Sequence, residues 1–560
     1  MSIFNLTESL RSLNITLRLG QAFDRKTCAE YLTDLLRHKT LMGNETFIFF
    51  KPIFYNESSP ENRLDISLRV PACRAICGTR HARNLDCGAR FFDWLLPMVL
   101  LLMVLHPTPL SHSVLTVPRV MGDPIFSIWS LLWKLKANHL CLQAGRVVVQ
   151  SLDQQRLGTL AAPHSKRTLW GATRTRKDVL AQELGVIIRA MTDLLRGSKL
   201  HRPDDAELED VTACLHHFIS KSRTPFTDLL DTISSTASSI VKLRTQAMWK
   251  AWAAVVVCVV ELAVLFIPAI NDSKPSGSKI AATFLLSWLI PLVLLGETVG
   301  GYSDFDLVRK EVLRFFEGHY LDPEALQTIN ALKGHHRPLA WTGGLIYYQP
   351  TMTFSPTLLI LACLPVLYAV LTTGFALGSP PTYFNERHFL LIGLSISWFL
   401  SAVTTWLLSQ PVGSPPKISY KRFLVISVKD IILSLASPAL LSVLTCGWLS
   451  TCESWSGHYW FRGAAAAVQL NPWLLFESNH RLFRNLILAS LFFGLLYYLA
   501  SFYWRTWIHW VLVRLPWAKN AGGSDIERTS PAVDRSSIEL IATSSERRGV
   551  LAIQSMSWPR

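Results

Sequence analysis

The sequence predicts an all-α integral membrane protein, with about seven transmembrane helices and a helical cytoplasmic insert between the first and second. Three observations predict it. Half of the 560 residues are apolar and only 17% are charged, against about 25% charged in an ordinary soluble domain. Apolar runs of bilayer length recur along the chain, most of them after residue 247. The 19 Trp gather near the ends of those runs, where an amphipathic indole suits the headgroup region. Such runs cross as helices, because in lipid only a helix or a closed barrel satisfies every backbone N–H and C=O.

Residues 1–90 read as an extracytoplasmic region with a thin core. The first residues, MSIFNLTESLRSLNITLRLG, lack the continuous apolar stretch of a cleavable signal peptide, so a later helix has to carry this region across. Acceptor triplets for N-glycosylation fall at Asn5, Asn14, Asn44 and Asn56, with a further one at Asn271. Cys28, Cys73, Cys77 and Cys87 precede the first span, and an even count in an oxidising compartment reads as two disulfides of open pairing. In a reducing compartment Cys73, Cys77, His81 and Cys87 read instead as a zinc site of unusual spacing.

The first span occupies residues 91–106. Its apolar part, WLLPMVLLLMVL at 94–105, is short for a bilayer and reads either as a crossing or as a re-entrant hairpin. Residues 107–250 form the insert. Asp123 precedes Pro124, the arrangement of an N-cap followed by proline at the first helical position. The helix that follows carries Trp129, Leu132 and Trp133 on one side, suited to the membrane interface or to packing within the insert. Leu180, Leu184, Ile187, Ile188, Met191, Leu194 and Leu195 then recur at helical spacing, as do Leu229, Leu230, Ile233, Ile240, Val241 and Leu243.

Residues 251–516 hold six spans, at 251–270, 280–300, 356–377, 389–409, 431–449 and 486–503. The loop 410–423 carries Lys417, Lys421 and Arg422 and no acid, which places it in the cytoplasm. Counting back through seven spans puts the N-terminus outside, together with all five glycosylation triplets. Arg74, Arg80, Arg83 and Arg90 on the outer flank of the first span run against this. Residues 517–560, rich in Ser, Thr and Arg, read as a disordered cytoplasmic tail.

Net charge is +15, but the basic residues are scattered and no recognition module accompanies them, so anionic lipid rather than nucleic acid is the expected partner. No catalytic residue, cofactor loop or metal signature stands out, and an enzyme is not expected. The intramembrane polar residues are Glu261, near the middle of the second span, and Lys429 and Asp430 at the start of the sixth. A charge at mid-bilayer costs about 2.5–3.5 kcal/mol on insertion scales, so Glu261 should face a partner or a cavity. Lys429 is one partner for it; interfacial snorkelling is the other reading of the lysine.

The stretch 122–132 (GDPIFSIWSLL), the stretch 285–295 (LLSWLIPLVLL) and the order of ectodomain, single span, helical insert and six-span block are similar to multi-pass membrane proteins of filamentous fungi. The resemblance covers about residues 107–450 and implies no substrate, cofactor or catalytic residue. Two functions are open: a receptor-like or scaffolding protein with a cytoplasmic protein partner on 137–246, or a transporter or channel using Glu261 within the membrane.

Overall fold

The computed structural model describes residues 16–18, 20–23, 25–37, 48–53, 63–80, 99, 101–102, 117–152, 176–195, 204–221, 225–245, 252–257, 260, 281–282, 284–302, 305–317, 330, 341–342, 345–346, 356–378, 384–409, 420–445, 451–456, 467–470, 485–486 and 488–501. The chain divides into two units, Met1–Tyr498 and Leu499–Arg560, and the elements below belong to the first, save the end of the helix Leu488–Ser501. They are mostly helical.

The N-terminal module combines α1 (Arg25–Arg37), β1 (Ile48–Ile53), β2 (Arg63–Arg69) and α2 (Val70–Cys77). β2 pairs antiparallel with β1, Ile48 opposite Leu68, and on its other edge with β7 (Ala467–Gln469), Leu68 opposite Val468. Leu32, Leu68, Ile76, Cys452 and Val468 are buried in one core. Disulfides close it: Cys28 bonds Cys77, and Cys73 bonds Cys452, 379 residues away. The expected pairing within the four N-terminal cysteines is thus realised only in part, because β7 and the turn at 451–456 bring a fifth cysteine into the core. Cys87 lies outside the described residues.

The helical insert is built around α3 (Pro124–Ser151), α4 (Arg176–Leu195), α5 (Asp204–Lys221), α6 (Phe226–Leu243) and α8 (Phe305–Phe316). Every apolar position of the expected α4 stripe is buried. So are Leu229, Leu230, Ile233 and Ile240 of α6, whereas Val241 is exposed. Phe218 of α5 meets Phe315 and Phe316 of α8 at 4.9 and 5.0 Å between ring centroids, so the core of the insert draws on residues beyond 250. α3 and α4 cross at Gly145 and Gly185, where a Cβ on Gly145 would collide with the Ala181 carbonyl.

Two-residue strands β3 (Arg244–Thr245) and β4 (Gly301–Tyr302) pair, as do β5 (Trp341–Thr342) and β6 (Leu345–Ile346). Among the described residues, three helical stretches are long and apolar enough to cross a membrane: Thr357–Leu377 within α9 (Pro356–Leu377), Glu386–Leu408 within α10 (Glu386–Ser409), and Leu424–Leu444, which spans α11 (Tyr420–Ser434) and α12 (Ala436–Thr445). On α9 the residues Ile360, Leu364, Leu367, Leu371 and Phe375 form an exposed apolar stripe, which lipid would cover.

Three such helices stand against seven expected, and the described residues do not support that count or its topology. The expected helix at 280–300 is broken: α7 (Leu289–Val299) is preceded by a turn at 286–288. Pro291 explains the break. It has no N–H for the Ser287 carbonyl, and Ile290 donates to that carbonyl instead, at 3.2 Å in a tighter turn. α7 is buried almost throughout. Of the second expected span only 252–257 and 260 are described, and of 94–105 only 99 and 101–102. The last is a shorter apolar helix, Leu488–Ser501. The tail 517–560 lies outside the described residues.

Candidate functional site

The site begins with a helix that starts inside the protein. Residues 117–122 form a short helical segment, Asp123 interrupts it, and α3 follows. Asp123 is fully buried and acts as the expected N-cap, its Oδ1 accepting from the Phe126 N–H at 3.1 Å. From Pro124 to Lys134 every residue of α3 is buried, so the helix has no free face there. It packs on α7, α9 and α10, and its later half packs on α4 and α5. The side with Trp129, Leu132 and Trp133 therefore contacts protein all round. The approach to α11 is close, since any Cβ on Gly122 would overlap the Asp430 carbonyl.

That approach brings two carboxyl groups and two basic side chains together. The Arg119 Nη1 donates to Asp430 Oδ2 at 3.1 Å, and the Arg119 guanidinium lies 5.1 Å from the Phe126 ring centroid, within cation–π range. The Lys429 Nζ donates to Asp123 Oδ2 at 3.0 Å and lies 2.7 Å from Asp430 Oδ1. From α10, Thr405 Oγ1 donates to Asp123 Oδ2 at 2.5 Å. Lys429 also donates to Thr405 Oγ1 at 2.8 Å, to the Ser401 carbonyl at 3.1 Å, and to Ser401 Oγ. Trp398 Nε1 donates to the Met121 carbonyl at 3.1 Å, which fixes the 117–122 segment against α10. Two acids face two bases, the pairing under which buried charge is tolerated.

Asp430 is therefore buried and Lys429 half-buried, with side chains 3% and 14% exposed, and the Lys429 ammonium turns inward to Asp123, Ser401 and Thr405 rather than snorkelling outward. Neighbouring helix positions diverge by about 100°, but the long lysine stem reaches back over the turn to share Asp123 with α10. Glu261, and with it the pair Glu261–Lys429, lies outside the described residues. Sequence reasoning missed Arg119 as a site residue and read Asp123 only as a cap. The available signal was a lone Asp and a lone Arg bracketing a glycine in an apolar setting.

A second ionic junction lies further along α3. Lys134 Nζ and Arg189 Nε stand 3.8 and 3.7 Å from Asp193 Oδ2, and Arg189 Nη2 donates to the Val299 carbonyl at 2.7 Å. Arg189 thereby satisfies one of the orphan carbonyls at the end of α7, which joins α4 to the apolar block. At the start of α10, His388 Nε2 lies 3.1 Å from the Gly374 carbonyl and Nδ1 3.2 Å from Asn385 Oδ1, a tie between α9 and α10.

Elsewhere, Cys73 and Cys77 are each committed to a disulfide, which removes the thiolates a zinc site would need; His81 and Cys87 lie outside the described residues. So do all five glycosylation triplets, Asn5, Asn14, Asn44, Asn56 and Asn271. Burial, then the charge of Asp210, pushes the Cys214 thiol up to about 12, so it is an inert core group. Burial and the adjacent His217 lower His216 below its ordinary value. Comparison with known proteins finds no matching family model, no matching curated protein and no matching solved structure.

Proposed function

We propose that this protein is a seven-span, N-out, multi-pass membrane protein of receptor-like or scaffolding type, in which a cytoplasmic helical insert is tied mechanically to the membrane block. The observation that carries the reading is α3, a single 28-residue helix that packs on α7, α9 and α10 and also, through Cys141, Val148 and Val149, on the core that α4 and α5 share. A displacement of the apolar block would be passed to the insert through a rigid element. The exposed face of α6, with Asp231 and Ser238, is the surface offered to a cytoplasmic protein partner.

The topology draws support from the N-terminal module. β2 pairs with β7 and Cys73 bonds Cys452, so both ends of that connection share one side of the bilayer. The chain between them must then cross an even number of times. The six segments 94–105, 251–270, 280–300, 356–377, 389–409 and 431–449 satisfy this parity, and five would not. Disulfides belong to an oxidising compartment, which favours the plasma membrane or a secretory endomembrane and makes the N-terminal acceptors glycosylatable. A broken helix such as α7 is tolerated at membrane depth when buried in protein.

The test is a photo-crosslinker placed at Asp231 or Ser238 in the full-length chain in native membranes. The reading expects a discrete protein adduct; lipid-only or absent adducts at these positions and along α5 and α8 would overturn it. The alternative, a transporter or channel using Glu261, draws on the buried cluster of acids and bases, because intramembrane ionisable residues commonly mark an ion path. Under it Glu261→Gln abolishes a cation flux into proteoliposomes while sparing expression, and an unchanged flux removes it.

A further inference from the structure

The start of α10 is closed by a capping box whose acceptor is a histidine. Asn385 stands at the N-cap position, directly before Glu386, and its Oδ1 accepts from the Arg387 N–H at 3.0 Å. In return the Asn385 N–H donates to His388 Nδ1 at 3.1 Å. This reciprocal pair is a capping box, in which the third helical position ordinarily supplies Glu or Gln. A backbone N–H only donates, so Nδ1 is the bare nitrogen and the ring proton sits on Nε2. Nε2 then donates to the Gly374 carbonyl at 3.1 Å, an acceptor it shares with the Gly378 N–H at 2.8 Å in the last turn of α9. Asn385 and His388 are both buried.

One imidazole thus serves two helix ends, and its two bonds answer differently to a proton. When Nδ1 gains a hydrogen it stops accepting, so the buried Asn385 N–H loses its acceptor, while the bond from Nε2 to Gly374 stays. The added charge is opposed by the positive end of α10 and by the buried Arg387, and is favoured by the negative end of α9. The other neighbours bring no counter-charge. Phe384 stacks on the ring at 4.7 Å, and Glu386 bears on Arg387 rather than on the ring. α9 carries no Asp, Glu, Lys, Arg or His, and its Cys363 and Tyr368 stand more than one turn before Gly374.

We infer that His388 is a proton-sensitive switch at the α9–α10 turn, which holds both helix ends when neutral and, when protonated, releases the cap of α10 while keeping its hold on α9. Histidine is the side chain whose charge changes between about pH 5 and 8. The N-out reading puts this turn on the extracytoplasmic side, and the inference rests on that reading only for the compartment whose acidity is sensed.

The experiment follows amide hydrogen exchange of the full-length chain in detergent micelles at about pH 7.5 and about pH 5, with labelling times scaled to the intrinsic exchange rate. Sidedness plays no part in micelles, so the outcome is independent of the topology. Wild type is compared with His388→Gln, which supplies an acceptor at the same place and does not titrate. Expected for wild type on acidification is a loss of protection at 385–390 of about fivefold, the size that a missing cap gives, with 395–405 unchanged. His388→Gln keeps its protection at both values. Protection across 395–405 also reports that the variant is folded; where it is missing, His388→Glu, the other usual acceptor at this position, takes its place. Equal protection of wild type at 385–390 in both conditions would overturn the inference, as would a folded variant that keeps the acid loss or lacks protection there at the higher pH.

Discussion

Lys429 and Asp123 are 306 positions apart in sequence, yet the ammonium and the carboxylate meet at 3.0 Å inside the protein. The same carboxylate caps α3 through its other oxygen, so one side chain sets where the helix starts and holds it to α10 and α11. Replacing Asp123 separates the two roles. Asp123→Asn leaves the cap but removes one of the two carboxylates that face Lys429, with Asp430 Oδ1 still at 2.7 Å; breaking a buried pair outright typically costs about 3–5 kcal/mol, and the remaining carboxylate keeps the cost below that. Asp123→Ala loses the cap as well, for about 0.5–2 kcal/mol more. Unfolding midpoints in detergent should fall in the order wild type, Asn, Ala; equal midpoints for Asn and Ala would mean that the cap contributes nothing.

At the crossing of α3 and α4, Gly145 faces the Ala181 carbonyl and Gly185 faces Leu142. The Gly145 contact is with backbone, which cannot rotate away. Gly145→Ala should therefore push the helices apart and lower stability by about 1–3 kcal/mol, the usual cost of overpacking, despite the better helix propensity of alanine. Gly393 on α10 meets nothing within 4 Å and serves as the control, with Gly393→Ala neutral or slightly stabilising. Thermal unfolding of both variants checks this, and equal shifts at the two positions would count against the crossing.

The helical class was legible because period and length are local properties. The stripe from Leu180 to Leu195 and the Asp123–Pro124 start follow from nearest neighbours in the chain. Arg119, Asp123, Lys429 and Asp430 as one cluster were not legible, since no local rule says which distant helix supplies the counter-charge. Lys429 in particular read as interfacial because its position in the span is near one end, whereas its real surroundings come from α10 and the 117–122 segment. The Cys73–Cys452 bond was hidden for the same reason: parity of four cysteines suggested closure within the N-terminal region, and a strand from residues 467–469 altered it. The run 280–300 reads as one span by length and hydropathy, but the turn that Pro291 imposes at 286–288 shortens the helix below a bilayer crossing.

Two titrating groups outside the spans give opposite cases with one sign. Burial raises Glu453, but a backbone hydrogen bond and the bond and charge of Arg74 outweigh it and hold the carboxyl below its ordinary 4.5. Its contribution is present above that value and is lost as pH falls through the folded value. His216 is lowered from 6.5 by burial and His217, so the folded state binds its proton less readily and stability declines as pH drops below about 6.5. Arg74→Gln should shrink the loss of stability that Glu453 contributes below about pH 4.5, and His216→Gln should flatten the loss between about pH 6.5 and 5. Midpoints measured from pH 4 to 8 on full-length protein read both, and an unaltered profile in either variant removes its group.

The sheet and the disulfide make one more demand. If Cys73 and Cys452 are bonded, cutting the chain between them leaves the pieces joined. A protease site inserted in the loop 410–419 should give fragments that migrate together without reductant and separate with it, and Cys452→Ser should separate them in both conditions. The same preparation reports the side of the membrane. Under the N-out reading the joined species loses mass on glycosidase treatment, in steps removed by Asn271→Gln and by replacing Asn5, Asn14, Asn44 and Asn56. A joined species glycosylated only at Asn271 would keep the parity and deny the N-terminal acceptors. A species that separates without reductant would remove the argument for an even number of crossings, since β2 and β7 would then lack the covalent tie that holds them on one side.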